Sequence, residues 1–246
     1  MSKMLSNTIL NNIDHADLCV REIYAEAFGN MVSSSLVFPN EFVEAQKEYP
    51  LLFRRAPEDG SWQAIAIMGL NEGNNLFIED KVWRGKYVPA IQARGPFSIG
   101  IQQINGEEKS VIHVDLKDQR LSQSEGHRLF TDNGENTPYL NQISKTLAII
   151  DEGRKMYAPM FKLLEDLKLL ESVNVEIETA RGSKTTFQNY FTIDQKRLIT
   201  LSGDDLYTLQ QSGCLAMCYY VCASLTNFQV LIQLQNHQDQ RTRSAE

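Results

Sequence analysis

The sequence predicts an α+β fold with a mixed, mainly antiparallel sheet and a C-terminal helical portion. Short apolar segments separated by turn-forming residues fill the first half of the chain and are typical of strands. Residues 140–167 then carry apolar side chains at three-to-four residue spacing, which predicts helix. An alternating segment at 173–179 predicts a further strand beyond this helix. Both halves of the chain therefore contribute to one mixed fold.

The composition is that of a globular protein. Apolar residues make up 42% and charged residues 22% of the 246 residues. The formal net charge is −7 and Lys and Arg form no run, which argues against a nucleic-acid partner. We predict one domain over residues 15–234, strand-rich over 15–136 and helix-rich over 137–234. Flexible segments are expected at 1–14 and 235–246.

The N-terminal residues 1–12 lack a basic region followed by an apolar core of signal-peptide length. We therefore expect a cytoplasmic protein, with surface association by a non-Sec route as the alternative. The most apolar stretch, 214–234, is nearly long enough to span a bilayer. Polar side chains nevertheless occupy its second half: Ser224, Thr226, Asn227, Gln229 and Gln233. This pattern favours a buried core helix and no integral membrane span.

In the strand-rich half, residues 32–38 predict a strand. Pro39 then stands at a favourable first helical position and opens a short amphipathic helix. Pro50 restricts the residue before it, so this helix should end there. Residues 51–55 and 62–68 predict a hairpin, because the segment between them is rich in turn formers.

A second hairpin is predicted from residues 97–103 and 109–116. Asn105-Gly106 lies between them and suits a type I′ turn, whose two central residues need positive φ. Side chains alternate between the two faces of a strand. We expect the core face of the second strand to carry Ile112, Val114 and Leu116.

The helix-rich half begins at Thr137-Pro138, where a Thr cap precedes Pro at the first helical position. Pro159 lies inside the apolar repeat that follows. It removes one helix hydrogen bond at a cost of roughly 3 kcal/mol in an undistorted helix interior. We therefore expect a break or kink between Gly153 and Pro159, giving two helices or one bent helix.

A third hairpin is predicted from residues 173–179 and 184–190, which are connected by a turn at Arg181-Gly182-Ser183. Ser202 then precedes a helical segment at 204–211. Asp205 stands three residues after Ser202, as in a capping box. We predict that Ser202 caps this helix.

Sequence motifs for common chemistries are absent. The chain contains no dinucleotide-binding glycine motif, Walker A loop, HExxH zinc motif or nucleophile elbow. The four histidines are far apart, so we predict no metal site and no cofactor. Cys214, Cys218 and Cys222 share one helix stripe, where apolar neighbours favour packing over a thiolate metal site.

Arg94 and Glu125 are the charged candidates for a binding site. Arg94 lies beside Pro96 and Phe97, and Pro96 restricts the backbone at this point. Its guanidinium group could hold a carboxylate in a bidentate bond, or it could brace the fold by bonding loop carbonyls, which we favour. The segment from Glu125 to Pro138 has the character of a connector, with a tight turn and then a helix start.

Several short motifs share their order and spacing with a known family. In chain order they are Glu48-Tyr49-Pro50-Leu51-Leu52-Phe53, Asn75-Leu76-Phe77, Tyr87-Val88-Pro89-Ala90, Arg94-Gly95-Pro96-Phe97, Glu125-Gly126 with Leu129-Phe130, Gly134 and Thr137, and Gly213, Leu215, Tyr219, Ser224 and Leu225 in the last helix. From about His15 to Leu234, the chain resembles the SapC family of bacterial proteins. The order and spacing of the motifs carry this resemblance.

The resemblance implies a non-catalytic accessory or binding protein that works through protein–protein interaction. The family takes its name from a gene associated with bacterial surface-layer protein loci. Similar proteins tend to be encoded near flavin-dependent halogenase-like proteins, cupin-like proteins and TonB-dependent receptors. A halogenase-like or cupin-like protein is therefore the expected partner. The handled material would be a surface protein, a peptide or an imported nutrient.

The resemblance also adds Asn75 and Tyr87, from its motifs, to Arg94 and Glu125 as binding candidates. Two alternative functions stay open. One is an enzyme that acts on a peptide or amino-acid derivative, with Glu125 as acid/base and Arg94 as carboxylate anchor. The other is a component of the surface layer.

Overall fold

The structure is a computed structural model that describes residues 7–104, 107–180, 182 and 184–245. Its antiparallel sheets and helices confirm the predicted α+β class. The described chain forms two compact units, each built from two separate segments. Unit 1 takes its residues from Met1–Ile23 and Ala90–Asp151, and unit 2 from Tyr24–Pro89 and Glu152–Glu246. The prediction of one domain over 15–234 stays a prediction.

The strands are β1 (Asn7–Ile9), β2 (Cys19–Val20), β3 (Ser34–Leu36), β4 (Leu51–Arg55), β5 (Trp62–Ile67), β6 (Ile78–Glu79), β7 (Val82–Trp83), β8 (Phe97–Ile104), β9 (Glu107–Asp115), β10 (Leu121–Ser122), β11 (His127–Arg128), β12 (Leu170–Glu178) and β13 (Lys184–Ile193). The α-helices are α1 (Phe42–Ala45), α2 (Ala90–Ala93), α3 (Pro138–Asp166), α4 (Gln195–Ile199), α5 (Gly203–Gln211), α6 (Cys214–Ser224) and α7 (Phe228–Ala245). Short 3-10 turns occupy Glu26–Phe28, Pro39–Glu41 and Leu225–Asn227.

Unit 1 contains two three-stranded antiparallel sheets, in the orders β1-β9-β8 and β10-β2-β11. The predicted hairpin is confirmed as β8–β9, and the Asn105-Gly106 turn lies outside the described residues. Val114 is fully buried as expected, but the core position predicted for Leu116 is wrong because Leu116 is exposed. Strand β9 ends one residue earlier, where the Lys117 N–H donates to Asp115 Oδ1 at 3.1 Å and turns the chain away.

Unit 2 contains a five-stranded antiparallel sheet in the order β12-β13-β4-β5-β3. The predicted hairpins are confirmed as β4–β5 and β12–β13, and Arg181 and Ser183 of the second predicted turn lie outside the described residues. Consecutive residues of β4 are buried on both faces of the sheet: Leu51, Leu52 and Phe53. Helix α6 contacts α1, β4 and β13. Its last residue, Ser224, accepts a hydrogen bond from the Leu51 N–H at 2.9 Å and thereby joins helix to strand.

Helix α3 begins as predicted, because Thr137 Oγ1 accepts from the Leu140 N–H at 3.3 Å. Of the two predicted outcomes, two separate helices is wrong, since α3 continues through Pro159; one bent helix stays a prediction. Gly153 is needed for packing instead, because a Cβ there would lie 2.3 Å from Phe38 Cβ. Beyond the proline, Met160 and Phe161 are buried. Burial of each such side chain stabilises the fold by about 1.5–3 kcal/mol, and the two together offset the free-energy cost of the proline.

The C-terminal helices differ from the predicted single helix in two ways. The 3-10 turn Leu225–Asn227 separates α6 from α7, and Asn227 Nδ2 donates to Gln46 O at 2.8 Å within this turn region. Helix α7 then extends to Ala245, beyond the predicted end near Leu234. Buried Gln235 holds this extension by donating to Asp239 Oδ1 at 2.9 Å. The predicted Ser202 cap is confirmed by its bond from the Asp205 N–H.

One helical stretch among the described residues, Cys214–Arg243, is long and apolar enough to cross a membrane on length and composition alone. Four residues of this stretch are buried in the core of unit 2: Cys214, Cys218, Val221 and Leu231. A core helix and a membrane span meet the same length and composition test. The absence of an integral membrane span therefore stays a prediction.

Candidate functional site

The candidates from the sequence are divided between the two units. Arg94 and Glu125 belong to unit 1, whereas Asn75 and Tyr87 belong to unit 2. Asn75 is fully buried. Its Nδ2 donates to Asn30 O at 3.0 Å, and its Oδ1 accepts from the Phe77 N–H at 3.0 Å. These bonds give Asn75 a bracing role in the loop before β6.

Tyr87 forms a hydrogen bond with a carboxylate that the sequence reasoning missed. The Tyr87 hydroxyl donates to Glu41 Oε1 at 2.7 Å, and Glu41 Oε2 accepts from the Phe38 N–H at 2.8 Å. Glu41 is buried. Burial and the nearby Glu41 charge raise the pKa of Tyr87 well above its ordinary value. The signal for Glu41 was its place in the third position after Phe38, from which an acid can accept the N–H of the residue that precedes a helical turn.

Glu48 and Tyr49 also form hydrogen bonds with the loop that carries Tyr87. The Tyr49 hydroxyl donates to the carbonyl oxygen of Tyr87 and accepts from Trp83 Nε1, the latter at 3.1 Å. Glu48 accepts from the Lys86 N–H at 2.7 Å and 2.9 Å. Burial raises the pKa of Tyr49, so its hydroxyl keeps its proton, and stays a donor, to a higher pH than an exposed tyrosine does. The motif that contains Glu48-Tyr49 and the motif that contains Tyr87 therefore contact each other in unit 2. Their hydrogen bonds fix the loop at Lys86 and Tyr87.

In unit 1, two guanidinium groups lie near one carboxylate. Buried Arg120 donates from Nε to Asp118 Oδ1 at 3.0 Å and from Nη2 to Asp118 Oδ2 at 2.6 Å. Arg94 is largely buried and donates from Nη1 to Phe97 O at 2.7 Å. Burial, and next the positive charge of Arg120, lower the pKa of Arg94. Arg94 therefore braces the loop through its bond to Phe97 O, and its surroundings disfavour its charged form.

Glu125 is a surface residue, with 71% of its side chain exposed and its Oε2 3.8 Å from Arg21 Nη1. Among the described contacts it shares no partner with Arg94, so the structure does not bring these two candidates together. The neighbouring Gly126 has φ +100, and a Cβ there would lie 2.3 Å from Val20 O. The glycine is therefore required for the close approach of β11 to β2.

Three further polar residues of unit 1 form a cluster that the sequence reasoning missed. The rings of His127 and Tyr139 are stacked, with centroids 4.7 Å apart and planes at 9°. His127 Nε2 lies 3.5 Å from Glu22 Oε2. Burial, with a smaller effect of Glu22, raises the pKa of Tyr139 to about 12. No local signal could have found the cluster, because its members are widely separated along the chain.

The part of the chain that the structure describes holds no group of three or more His, Cys, Asp and Glu side chains placed to bind a metal. Cys214 and Cys218 are buried in the core of unit 2. Burial raises the pKa of the Cys218 thiol to about 12, which disfavours the thiolate that a metal ligand or nucleophile requires. This environment agrees with the packing role expected for the cysteine stripe.

Unit 2 also presents apolar side chains to solvent on three consecutive helices. We call the exposed residues of this region the helical apolar surface; they are Ile199 (77%), Leu206 (41%), Tyr207 (66%) and Tyr219 (53%). Helices α5 and α6 contact each other, and α6 carries no charged side chain on any face. A helix that is apolar all round is normally buried on all sides. Here α6 is buried on one side only, since Ala216, Tyr219 and Ala223 are exposed.

The family model described as SapC matches residues 10–231, which is most of the chain. No curated protein matches the chain, and no solved structure matches it. The matched range extends over residues of both units, and the tyrosine and carboxylate network of unit 2 and the arginine cluster of unit 1 lie within it.

Proposed function

We propose, from the premise that the chain belongs to the SapC family, that it is a non-catalytic accessory protein that binds a partner protein. The helical apolar surface is the observation that carries this proposal. Tyrosine is enriched in protein interfaces because its large, stiff ring buries area at little entropic cost and its hydroxyl can bond. Tyr207 and Tyr219 are each more than half exposed, so each has area left to bury.

The composition of α6 supports the same proposal. Exposed apolar area costs free energy in water, about 25 cal/mol per Å², and a partner that covers it recovers that energy. The exposed residues on α6 include the small Ala216 and Ala223 beside Tyr219, which leaves room for a partner side chain close to the helix. The resemblance to other SapC proteins suggests a flavin-dependent halogenase-like or cupin-like partner, acting in surface-protein or nutrient-uptake loci.

The test is a comparison of tagged variants in a native lysate, with partners identified by mass spectrometry. The double variant Tyr207→Glu/Tyr219→Glu places two charges on the helical apolar surface. The matched control Val43→Glu/Val82→Glu places the same charges on other exposed apolar residues of unit 2. We expect wild type and control to retain the same specific partner and the tyrosine variant to lose it. The captured protein is then purified and its Kd measured for all three chains.

Two results would overturn the proposal. Equal capture by the tyrosine variant and the control would show that the surface is not the interface. Turnover of a peptide or amino-acid derivative by the purified chain alone, abolished by Arg94→Lys or Glu125→Gln, would favour the enzyme alternative. Cell fractionation addresses the third alternative, because a surface-layer component must be recovered with the cell envelope.

A further inference from the structure

Arg94 lies near a nearly buried ion pair. This pair is formed by Asp118 and Arg120, whose side chains are 13% and 9% exposed. Arg94 adds a second guanidinium group, and the repulsion from Arg120 acts on it more strongly than the attraction of Asp118. Among the described residues, Arg94 has no carboxylate within ion-pair distance. A largely buried cation without a counterion is costly, so Arg94 favours a negatively charged ligand.

Arg94 also has hydrogen-bond donors to offer. Its Nη1 is used by the carbonyl of Phe97. Its Nε and Nη2 make no hydrogen bond to the described residues and are not among the buried atoms that lack a partner, so they are open to solvent. The Nε–Nη2 edge of a guanidinium group is a planar fork that fits the two oxygens of a carboxylate.

Space for a ligand is present beside the same residue. Gly95 has φ +58, and a Cβ placed on it would have one atom within 4 Å besides its chain neighbours, Arg120 Nη1 at 4.0 Å. The missing side chain therefore leaves an opening bordered by a second guanidinium group. Pro96 and Phe97 are buried directly after it and fix the backbone at this point.

We propose that unit 1 binds a carboxylate group at the opening beside Gly95, with the Arg94 fork as the bidentate donor and Arg120 as the second positive wall. The positive charge of Arg94 attracts an anion, and its planar fork matches the planar carboxylate. Arg94 keeps its bond to Phe97 O in the complex, because the ligand uses its other edge. This binding site is independent of the helical apolar surface, which belongs to unit 2.

The test uses the full chain labelled with ¹⁵N-arginine and follows the Nε–Hε signals during titration. Acetate represents a small free acid, N-acetyl-alanine represents a peptide C-terminus, and N-acetyl-alanine amide is the uncharged control. We expect saturable shifts of the Arg94 signal with both acids and none with the amide. The tighter of the two acids identifies the source of the carboxylate, because only a peptide site gains from the residue behind the carboxylate.

Three variants separate the site from general ionic effects. Arg94→Lys keeps the charge but removes the fork, and should weaken binding at least about tenfold. Gly95→Asn keeps both arginines, tolerates the positive φ and fills the opening, and should abolish binding. Arg84→Lys changes an exposed arginine of unit 2 that pairs with Glu79, and should leave binding unchanged. Unchanged amide signals of β8 and β9 verify that Gly95→Asn is folded.

The proposal is overturned if the Arg94 signal shows no saturable shift with either acid. It is also overturned if a folded Gly95→Asn chain binds as wild type does, because the ligand would then lie elsewhere. Inorganic phosphate serves as a competing probe. Tighter binding of phosphate than of both acids would contradict the carboxylate assignment and indicate a site for a more highly charged anion.

Discussion

Replacing Pro159 by Ala should raise the free energy of unfolding of unit 2. Pro159 lies inside α3 and is exposed, so its replacement removes no buried contact. Alanine restores an N–H that a helix directs to the carbonyl four residues earlier. One recovered hydrogen bond sets a lower limit of about 1 kcal/mol. The difference in helix propensity sets an upper limit of about 3 kcal/mol.

Urea-induced unfolding followed by tryptophan fluorescence measures this change. Both tryptophans, Trp62 and Trp83, belong to unit 2, as Pro159 does, so the signal reports on the unit that is perturbed. The melting temperature should rise by about 2–4 °C for each kcal/mol in a chain of this size. Ala158→Gly, at the adjacent exposed position, is the matched control and should lower the free energy of unfolding by about 1 kcal/mol.

The reasoning is refuted if Pro159→Ala leaves the urea midpoint unchanged or lowers it while Ala158→Gly lowers it as expected. That pair of results would show that α3 is sensitive to helix propensity at this turn, yet accommodates the proline without cost. The continuous helix would then have adjusted its neighbouring hydrogen bonds around residue 159.

Three further predictions follow from the polar and thiol groups. Tyr87→Phe removes a donor to the buried Glu41 carboxylate and should cost about 1.5–3 kcal/mol, and an unchanged urea midpoint would contradict this. The pKa of Tyr139 is raised to about 12, so the unfolded chain loses this proton first; stability should fall between about pH 10 and about pH 12. Tyr139→Phe should reduce that decline in urea midpoints measured across the interval. The Cys218 thiol should resist a disulfide reagent in the folded protein and react in urea, and rapid labelling of the native chain would disagree with its burial.

The elements that the sequence predicts correctly depend on neighbouring residues. The β4–β5 hairpin is encoded by two short apolar segments and the turn formers between them. The Ser202 cap needs only a side chain three residues from an N–H. The continuity of α3 through Pro159 was not predictable in this way, because side chains distant in sequence, such as Phe38 against Gly153, determine the packing along it.

The candidate residues show the same division between local and distant contacts. Arg94 was recognised because it stands beside Pro96 and Phe97, and its bond to Phe97 O is local. The acceptor of the Tyr87 hydroxyl, Glu41, lies 46 residues away along the chain, so the pair becomes visible only in the fold. The same holds for the charge of Arg120 near Arg94, which no spacing rule predicts.

The interleaving of the two units has a consequence for synthesis of the chain. Unit 1 is complete once Asp151 has been made, whereas unit 2 still lacks β12, β13 and α6 at that stage. Until then, strand β4 lacks β13, which later pairs with it, and helix α6, which later contacts it, so its apolar faces stay uncovered. A nascent or truncated chain that ends near Asp151 exposes these faces, which are templates for aggregation. We expect chaperones to bind the emerging chain during this interval, between the completion of unit 1 and the arrival of α6.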